Sequence, residues 1–253
     1  MLEWEEWDGM RESCVSELVL IMPRLQVLTI DVCPKLKSLP NFLEKTSLEE
    51  LTIDCRISNC MTLATLPGLK SLSCVNLNNG EHFSTLGKLL LLESLWISNT
   101  ERVKKVSVEF LGIEEESNNN NKIDDEKGSA SSSSSSPLVL FPNLKSLKFW
   151  DMEEWEEWDG IGGTMREEAQ KSGVTITIMP RLQYLNIWEC PKLKSLPDFL
   201  PTTPLKTLRI NASPILRECC KTVIGDQWPK ISHIPNIFID FTYVRRDGRP
   251  TQY

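Results

Sequence analysis

The chain has 253 residues, of which 40% are hydrophobic, and its formal net charge is −7. This composition supports a continuous core, but it lacks the excess of lysine and arginine that general nucleic-acid binding requires. Eight cysteines are too few for a disulfide scaffold, so we expect reduced and mostly buried thiols. The acidic N-terminus has no features of a signal peptide, and apolar runs such as Leu89 to Leu92 are far too short to span a membrane. We therefore expect an intracellular, cytoplasmic protein.

The chain contains a near-copy of one of its own segments. Residues 22–40 and 179–197 both follow the pattern L-x-x-L-x-I-x-x-C-x-x-L-x-x-L-P, which is typical of leucine-rich repeats that each form one strand and one return segment. Seven strand segments fit L-x-x-L-x-h, where h is apolar, and begin at Leu25, Leu48, Leu69, Leu92, Leu144, Leu182 and Leu205. We predict an α/β fold of the leucine-rich-repeat solenoid class, a curved horseshoe with a parallel β-sheet on its concave face and irregular return segments.

The first residues match the middle of a repeat. Met1, Trp4 and Trp7 have the same spacing as the apolar residues at 152, 155 and 158. We expect residues 1–253 to form a single domain of about seven full repeats after this truncated first one. An array that lacks its first strand exposes a sheet edge, so the pattern indicates a fragment, a truncated gene product or the tail of a longer protein.

The return segments have apolar residues at positions 9, 12 and 15, counted from the first leucine of each repeat. In the fifth repeat these are Met152, Trp155 and Trp158, so we expect both tryptophans in the core and the intervening glutamates in water. The alternative is an acidic and aromatic surface that attracts a partner. The second repeat has polar residues at these positions. A shift of one or two residues, to the apolar residues at 57, 60 and 63, restores the pattern.

Two insertions and an end cap interrupt the regular spacing. Residues 113–137 contain six Asp/Glu residues and a run of serines, a composition too polar to order itself, and we expect a disordered loop. A phosphorylated regulatory tract is the alternative. Residues 160–177 form a second insertion with a helix-favouring stretch from Met165 to Lys171, and residues 214–253 are expected to cap the array.

The strands should present one face to a partner. Side chains alternate along a strand, so positions 4 and 6 face the core and positions 3, 5 and 7 line the concave sheet. The N-terminal end of this face is acidic and the remainder is aromatic and cationic. Exposed aromatics beside cations are typical of protein interfaces. The alternatives are burial under an insertion or a neighbouring domain, and a glycan groove. The candidate partner-binding residues are Asp31, Glu50, Asp54, Trp96, Lys148, Trp150, Tyr184, Trp188 and Arg209.

No catalytic or cofactor motif is present in the sequence. The phosphate-binding loop, the hydrolase elbow, the zinc-protease helix and the kinase signature are all missing, and neither histidine has metal-ligand spacing to a cysteine. We therefore expect no enzyme activity, no metal and no cofactor in this chain. The glycosylation pattern at Asn211 has little meaning without a secretory signal.

Several motifs resemble plant nucleotide-binding leucine-rich-repeat disease resistance proteins of the coiled-coil type. They are LGKLLLLESLWI at 86–97, VKKV at 103–106, EFLG at 109–112, FPNLKSL at 141–147, MEEW at 152–155 and CPKL at 190–193. The segment WPKISHIPNI at 228–237 is the most specific, since it is similar to the C-terminal ending of that family.

This resemblance implies the C-terminal repeat region of an immune receptor. In such a receptor the repeats would recognise a pathogen effector or a guarded host protein and restrain the nucleotide switch of the parent protein. ADP or ATP would bind only in an absent nucleotide-binding domain of that parent, which would also be a partner of the repeats. The alternative is a free-standing protein-binding adaptor or decoy from a truncated resistance gene. No nucleic-acid partner and no membrane span are expected.

Overall fold

The computed structural model describes residues 22–54, 63–76, 86–113, 137–162 and 173–251, apart from gaps at 32, 34–35, 37–38, 64–65, 88, 101 and 222–224, together with residues 167 and 171. Ten strands of this part of the chain form one sheet. Predictions for Met1, Trp4 and Trp7, for positions 57 and 60, and for nearly all of the 113–137 insertion fall outside the described residues.

The seven predicted strands are all present and pair in parallel along the sheet. Each spans positions 3 to 7 of its repeat. They are β1 (Val27–Asp31), β2 (Glu50–Asp54), β3 (Ser71–Val75), β4 (Ser94–Ser98), β7 (Ser146–Trp150), β10 (Tyr184–Trp188) and β11 (Thr207–Asn211). Neighbouring strands pair position for position, so Leu51 lies beside Leu72 and Leu95 beside Leu147. The predicted leucine-rich-repeat solenoid fold is confirmed.

One backbone contact repeats between neighbouring strands. The position-2 carbonyl of one repeat accepts the N–H groups of positions 2 and 3 of the next. The Gln26 carbonyl accepts Glu49 and Glu50 at 2.8 and 2.9 Å, and the Glu93 carbonyl accepts Lys145 and Ser146 at 2.8 and 3.0 Å. The first leucines of these two repeats are 23 residues apart for β1 and β2 and 52 residues apart for β4 and β7. The contact is therefore the same across a short connection and a long one.

A left-handed residue ends most of the described strands. Position 8 has φ between 49° and 63° at Asn76, Asn99, Asp151, Glu189 and Ala212. Asparagine and aspartate tolerate this conformation better than most residues. The turn directs the N–H of position 8 to the next strand, as from Asn99 to the Trp150 carbonyl at 3.0 Å. These five strands therefore turn into their return segments while the hydrogen bonding to the next strand continues.

The return segments close the core as predicted. Met152, Trp155 and Trp158 are buried, which confirms the core assignment of both tryptophans. Phe149 contacts both indoles, at centroid distances of 4.7 Å from Trp155 and 5.1 Å from Trp158. Leu63, the described member of the shifted second repeat, is also buried. Large rings at successive core positions account for much of the apolar area in this repeat.

Two short parallel sheets lie outside the main one. Strand β5 (Lys105–Val106) pairs with β8 (Glu157–Trp158). Strand β6 (Leu138–Leu140) pairs with β9 (Ile176–Ile178), so the residues just after the first insertion lie beside the end of the second. Glu167 and Lys171 are helical, in the stretch predicted to favour a helix. Short 3-10 helices span Asn41–Lys45, Val108–Leu111 and Leu200–Thr202.

The C-terminal segment adds an eighth parallel strand that the sequence pattern did not identify. After helices α1 (Pro214–Cys219) and α2 (Trp228–Ile231), strand β12 (Asn236–Ile239) pairs in parallel with β11. Buried Ile234 and Ile237 take the places of the usual leucines. Two antiparallel strands, β13 (Thr242–Arg246) and β14 (Arg249–Pro250), then end the sheet.

Candidate protein-interaction face

The nine predicted site residues all lie on the face of the sheet opposite the core. We call this surface the open face; it comprises positions 3, 5 and 7 of strands β1–β4, β7 and β10–β12. Buried positions 4 and 6 alternate with them from β2 onward. At the N-terminal end, Asp31 and Asp54 lie side by side in register, and Glu50 is exposed on the same face. The amide of Asn76 donates to Asp54 at 2.5 Å.

Four aromatic rings form a continuous line across the open face. We call Trp96, Trp150, Trp188 and Phe241 the aromatic row. Trp96 stacks on Trp150 with a centroid distance of 5.8 Å and an interplanar angle of 4°. Trp150 stacks on Trp188 at 5.8 Å and 29°, and Trp188 and Phe241 meet edge to face at 5.7 Å and 78°. The sequence placed the three tryptophans outward, and the structure brings them into contact.

Charged side chains flank the aromatic row. The Lys148 ammonium lies 5.7 Å from the centroid of the Trp96 ring, within the range of a cation–π contact. The Trp150 indole N–H donates to the Glu189 carboxylate at 2.8 Å. Trp150 remains 41% exposed, and Tyr184, at position 3 of β10, is 51% exposed. The row is therefore fixed by its neighbours and still accessible to a partner.

The row ends at a residue that sequence analysis missed. Phe241 is 70% exposed and has φ 64°, next to Asp240 at φ 43°. These two residues connect β12 to β13 in a two-residue turn, where both central residues take positive φ. A bulky residue rarely adopts this conformation, and such strain is a recognised feature of functional sites. No turn signal of the usual Asn-Gly kind marked this position in the sequence.

Two position-7 residues differ from the expected exposure. Ser98 and Asn211 are buried, although position 7 belongs to the open face. Each lies in register beside a tryptophan, Ser98 next to Trp150 and Asn211 next to Trp188. The Asn211 side-chain oxygen also accepts the backbone N–H of Phe241 at 3.1 Å. The asparagine of the glycosylation pattern is therefore a structural residue that supports the turn.

Ion pairs between the position-2 side chains of neighbouring repeats border the open face. Lys70 pairs with Glu49 at 2.8 Å, and Lys145 pairs with Glu93 at 2.7 Å. The hydrogen bond from Lys145 lowers the pKa of Glu93, and the hydrogen bond to Glu49 raises the pKa of Lys70. These side chains are close to half exposed, so each pair contributes little to stability. Their effect is to fix the charge pattern of this edge.

The described part of the chain shows no metal-binding cluster of His, Cys, Asp and Glu. It contains five cysteine thiols, of which Cys74, Cys190 and Cys220 are buried. Burial raises the pKa of the Cys190 and Cys220 thiols to about 12, which keeps them protonated and unreactive near neutral pH. No helix among the described residues is long and apolar enough to cross a membrane.

The parallel in-register sheet and its repeated leucine core define a leucine-rich-repeat protein. Over 239 residues, 93% of this chain, it is 27% identical to each of two Arabidopsis thaliana proteins, the probable disease resistance proteins RF45 and RDL5. Over 98 residues, 38% of the chain, it is 35% identical to the Arabidopsis thaliana disease resistance RPP8-like protein 3. The chain is thus similar over nearly its whole length to plant disease resistance proteins, and the resemblance seen in its motifs is confirmed.

The matched region is a small part of these relatives. It covers 16% of RF45 and of RDL5 and 9% of the RPP8-like protein. No protein-family profile matches the chain, and no solved structure matches it.

Proposed function

We propose that this chain is the repeat region of a plant immune receptor and recognises a pathogen effector or a guarded host protein through its open face. Its relatives are disease resistance proteins, which supports a role in plant defence. In this proposal the chain acts in the cytoplasm by protein contact alone, without catalysis or a cofactor of its own. Any ADP or ATP would bind to another part of the parent protein.

The aromatic row is the observation on which the proposal rests. Tryptophan is enriched among the residues that contribute most to protein interfaces. Four rings that touch in sequence lose little conformational freedom on binding, because their mutual contacts already restrict them. Trp150 and Phe241 are exposed and the other two rings are half-buried, and none is needed for the core, since the buried positions 4 and 6 supply the packing. It is therefore suited to bind an apolar surface of a partner.

The proposed regulation is a difference in affinity between two states of the receptor. The repeats would bind the resting arrangement of the nucleotide switch more tightly than the active one. A ligand can shift such an equilibrium only as far as its own affinities for the two states differ. An effector that competes for the open face, or strains its contact with the switch, would release the restraint.

The first experiment defines the protein to which the repeats belong. The native transcript upstream of Met1 would be sequenced, and an open frame that encodes a phosphate-binding loop is expected. A genuine start at Met1 would overturn the receptor proposal and favour the adaptor or decoy.

The second experiment tests the open face in that parent receptor. The double substitution of Trp150 and Trp188 by alanine should abolish the pathogen-triggered cell-death response in leaves, compared at equal receptor abundance. Leu90→Ala is the matched control, because Leu90 is 61% exposed but precedes β4 and lies off the open face. An unchanged response in the double variant, or an equal loss with Leu90→Ala, would contradict the proposal.

A further inference from the structure

A second feature of the open face is a pocket at its C-terminal end. It has a volume of about 270 Å³, and Arg209, Phe238, Tyr243 and Arg246 are among its walls. We propose that this pocket binds one carboxylate side chain, aspartate or glutamate, of the partner protein. This inference rests on the proposed partner recognition and adds to it the chemistry of one contact.

Aromatic rings hold the two guanidinium groups in place. Arg209 lies over Phe238 with its guanidinium carbon 5.6 Å from the ring centroid, and Arg246 lies over Tyr243 at 5.2 Å. The two rings meet edge to face, with a centroid distance of 4.5 Å. A guanidinium that stacks on a ring keeps the N–H donors at its edge free, and these donors match the two oxygens of a carboxylate.

The wall that holds Arg246 is anchored to the sheet. Asp247 and Gly248, with φ 48° and 76°, form the two-residue turn between β13 and β14, and such a turn favours the Asp-Gly sequence. The Asp247 N–H donates to the Asn236 side chain at 3.0 Å, and the Gly248 N–H donates to the Pro235 carbonyl at 2.9 Å. The pocket is thus formed by the fold before any ligand arrives.

Neither arginine is strongly neutralised. Among the described residues Arg209 makes no ion pair, and the contact from Arg246 to Asp247 is 3.9 Å long with both side chains mostly exposed. An ion pair of this kind is worth little in water. Both guanidinium groups are therefore available to a ligand.

Charge and size favour a carboxylate over a phosphate. Two guanidinium groups and the Asp247 carboxylate leave a single net positive charge among the charged residues of the wall. This charge complements a monoanion, whereas a phosphate group approaches two negative charges at neutral pH. A cavity of about 270 Å³ holds the end of one side chain. Asp247 would oppose a dianion more strongly than a carboxylate.

The position of the pocket indicates a protein ligand. Arg209 lies on β11, and the neighbouring strand β10 contributes Trp188 to the aromatic row. Phe241, the last ring of the row, is two residues from Tyr243 of the pocket wall. A partner segment with an apolar residue near an acidic one could therefore occupy the row and the pocket together.

The test uses the full chain and small probes. N-acetylglutamate amide, its neutral analogue N-acetylglutamine amide and inorganic phosphate would each be titrated while the arginine side-chain NMR signals are followed. The glutamate probe should shift the signals of Arg209 and Arg246 saturably, and the glutamine probe should not. Arg209→Gln should weaken this binding about tenfold or more, as expected for the loss of a charge-assisted hydrogen bond.

The matched control is Arg249→Gln, which removes the same charge from β14 outside the pocket wall. It should leave the binding within about twofold, because it changes only screened long-range attraction. Arg209→Lys keeps the positive charge but removes the planar guanidinium that can donate two hydrogen bonds to one carboxylate. This variant should bind the glutamate probe more weakly than the native chain. Circular dichroism would verify that each variant is folded.

Three results would overturn the inference: no saturable shift with the glutamate probe, equal weakening by Arg249→Gln, or phosphate binding in preference to the carboxylate. None of them would affect the loss of recognition expected for the Trp150 and Trp188 variant. Conversely, the Trp150 and Trp188 variant could keep its response while the glutamate probe binds. That result would support the carboxylate pocket and contradict the proposed role of the aromatic row. The two proposals are thus separable.

Discussion

Alanine substitution of Trp150 and of Trp155 should separate the open face from the core. The Trp155 side chain is fully buried and its N–H donates to the Glu157 carbonyl at 2.8 Å. Removing a buried tryptophan costs about 3–5 kcal/mol. Trp150 is 41% exposed, and its loss removes two stacked contacts worth about 0.5–1.5 kcal/mol each. We expect a total of about 1–3 kcal/mol for Trp150→Ala.

The measurement is thermal unfolding of the full chain followed by circular dichroism. At about 2–4 °C per kcal/mol for a chain of this size, Trp155→Ala should lower Tm by roughly 6–20 °C and Trp150→Ala by roughly 2–12 °C. Urea midpoints would give the same order independently. Equal losses for the two variants would refute the distinction between the faces, and with it the use of Trp150 as a binding residue.

Three further predictions concern the turn, the ion pairs and the thiols. Phe241→Gly should change the free energy of unfolding by less than about 1 kcal/mol, because relief of the positive φ offsets the lost ring contact; a larger loss in urea unfolding would contradict this. Lys145 lowers the pKa of Glu93, so this carboxylate stabilises the fold above its unfolded pKa of about 4.3 and ceases to do so as the pH falls through the lower folded pKa. Glu93→Gln should therefore flatten the fall in Tm below about pH 4.5 only slightly, and a steeper fall in the variant would argue against the pair. Iodoacetamide at pH 8 should leave Cys190 and Cys220 unmodified in the folded chain and label both in urea, and mass spectrometry would reveal any labelling of the native protein.

The leucine spacing alone was sufficient to predict the register of the sheet. In β7, for example, Leu147 and Phe149 are buried while Lys148 and Trp150 are exposed, as strict alternation requires. The burial of Trp155 followed from the same counting because the return segment repeats its spacing. Backbone geometry decides these features, so the alternation recurs from β2 to β11 at positions 4 and 6.

The contacts on the open face could not be predicted in this way. Trp96 is at position 5 and Trp150 at position 7, and their stacking depends on rotamers and on the offset between strands. The burial of Ser98 follows from the large ring next to it and not from its own position. These features depend on side chains from neighbouring repeats, which a pattern within one repeat does not describe.

The eighth strand was missed because the pattern was defined by leucines. Ile234, Ile237 and Ile239 have the spacing of L-x-x-L-x-h and occupy the corresponding buried sites. The Asp247-Gly248 pair is a strong hairpin signal that also went unused. With it, the sequence would have indicated the hairpin that positions Arg246.

The constant backbone contact between repeats has a consequence for how new specificities can arise. Since the Glu93 carbonyl binds Lys145 and Ser146 just as the Gln26 carbonyl binds Glu49 and Glu50, the sheet continues in register across the longest connection. Loop-closure entropy rises by only about 0.6 kcal/mol for each doubling of loop length. The sequence between residues 113 and 137 is therefore a suitable graft point, where recombination in evolution or a peptide library in the laboratory could exchange sequence without displacing Trp96 and Trp150 on the two strands that it connects.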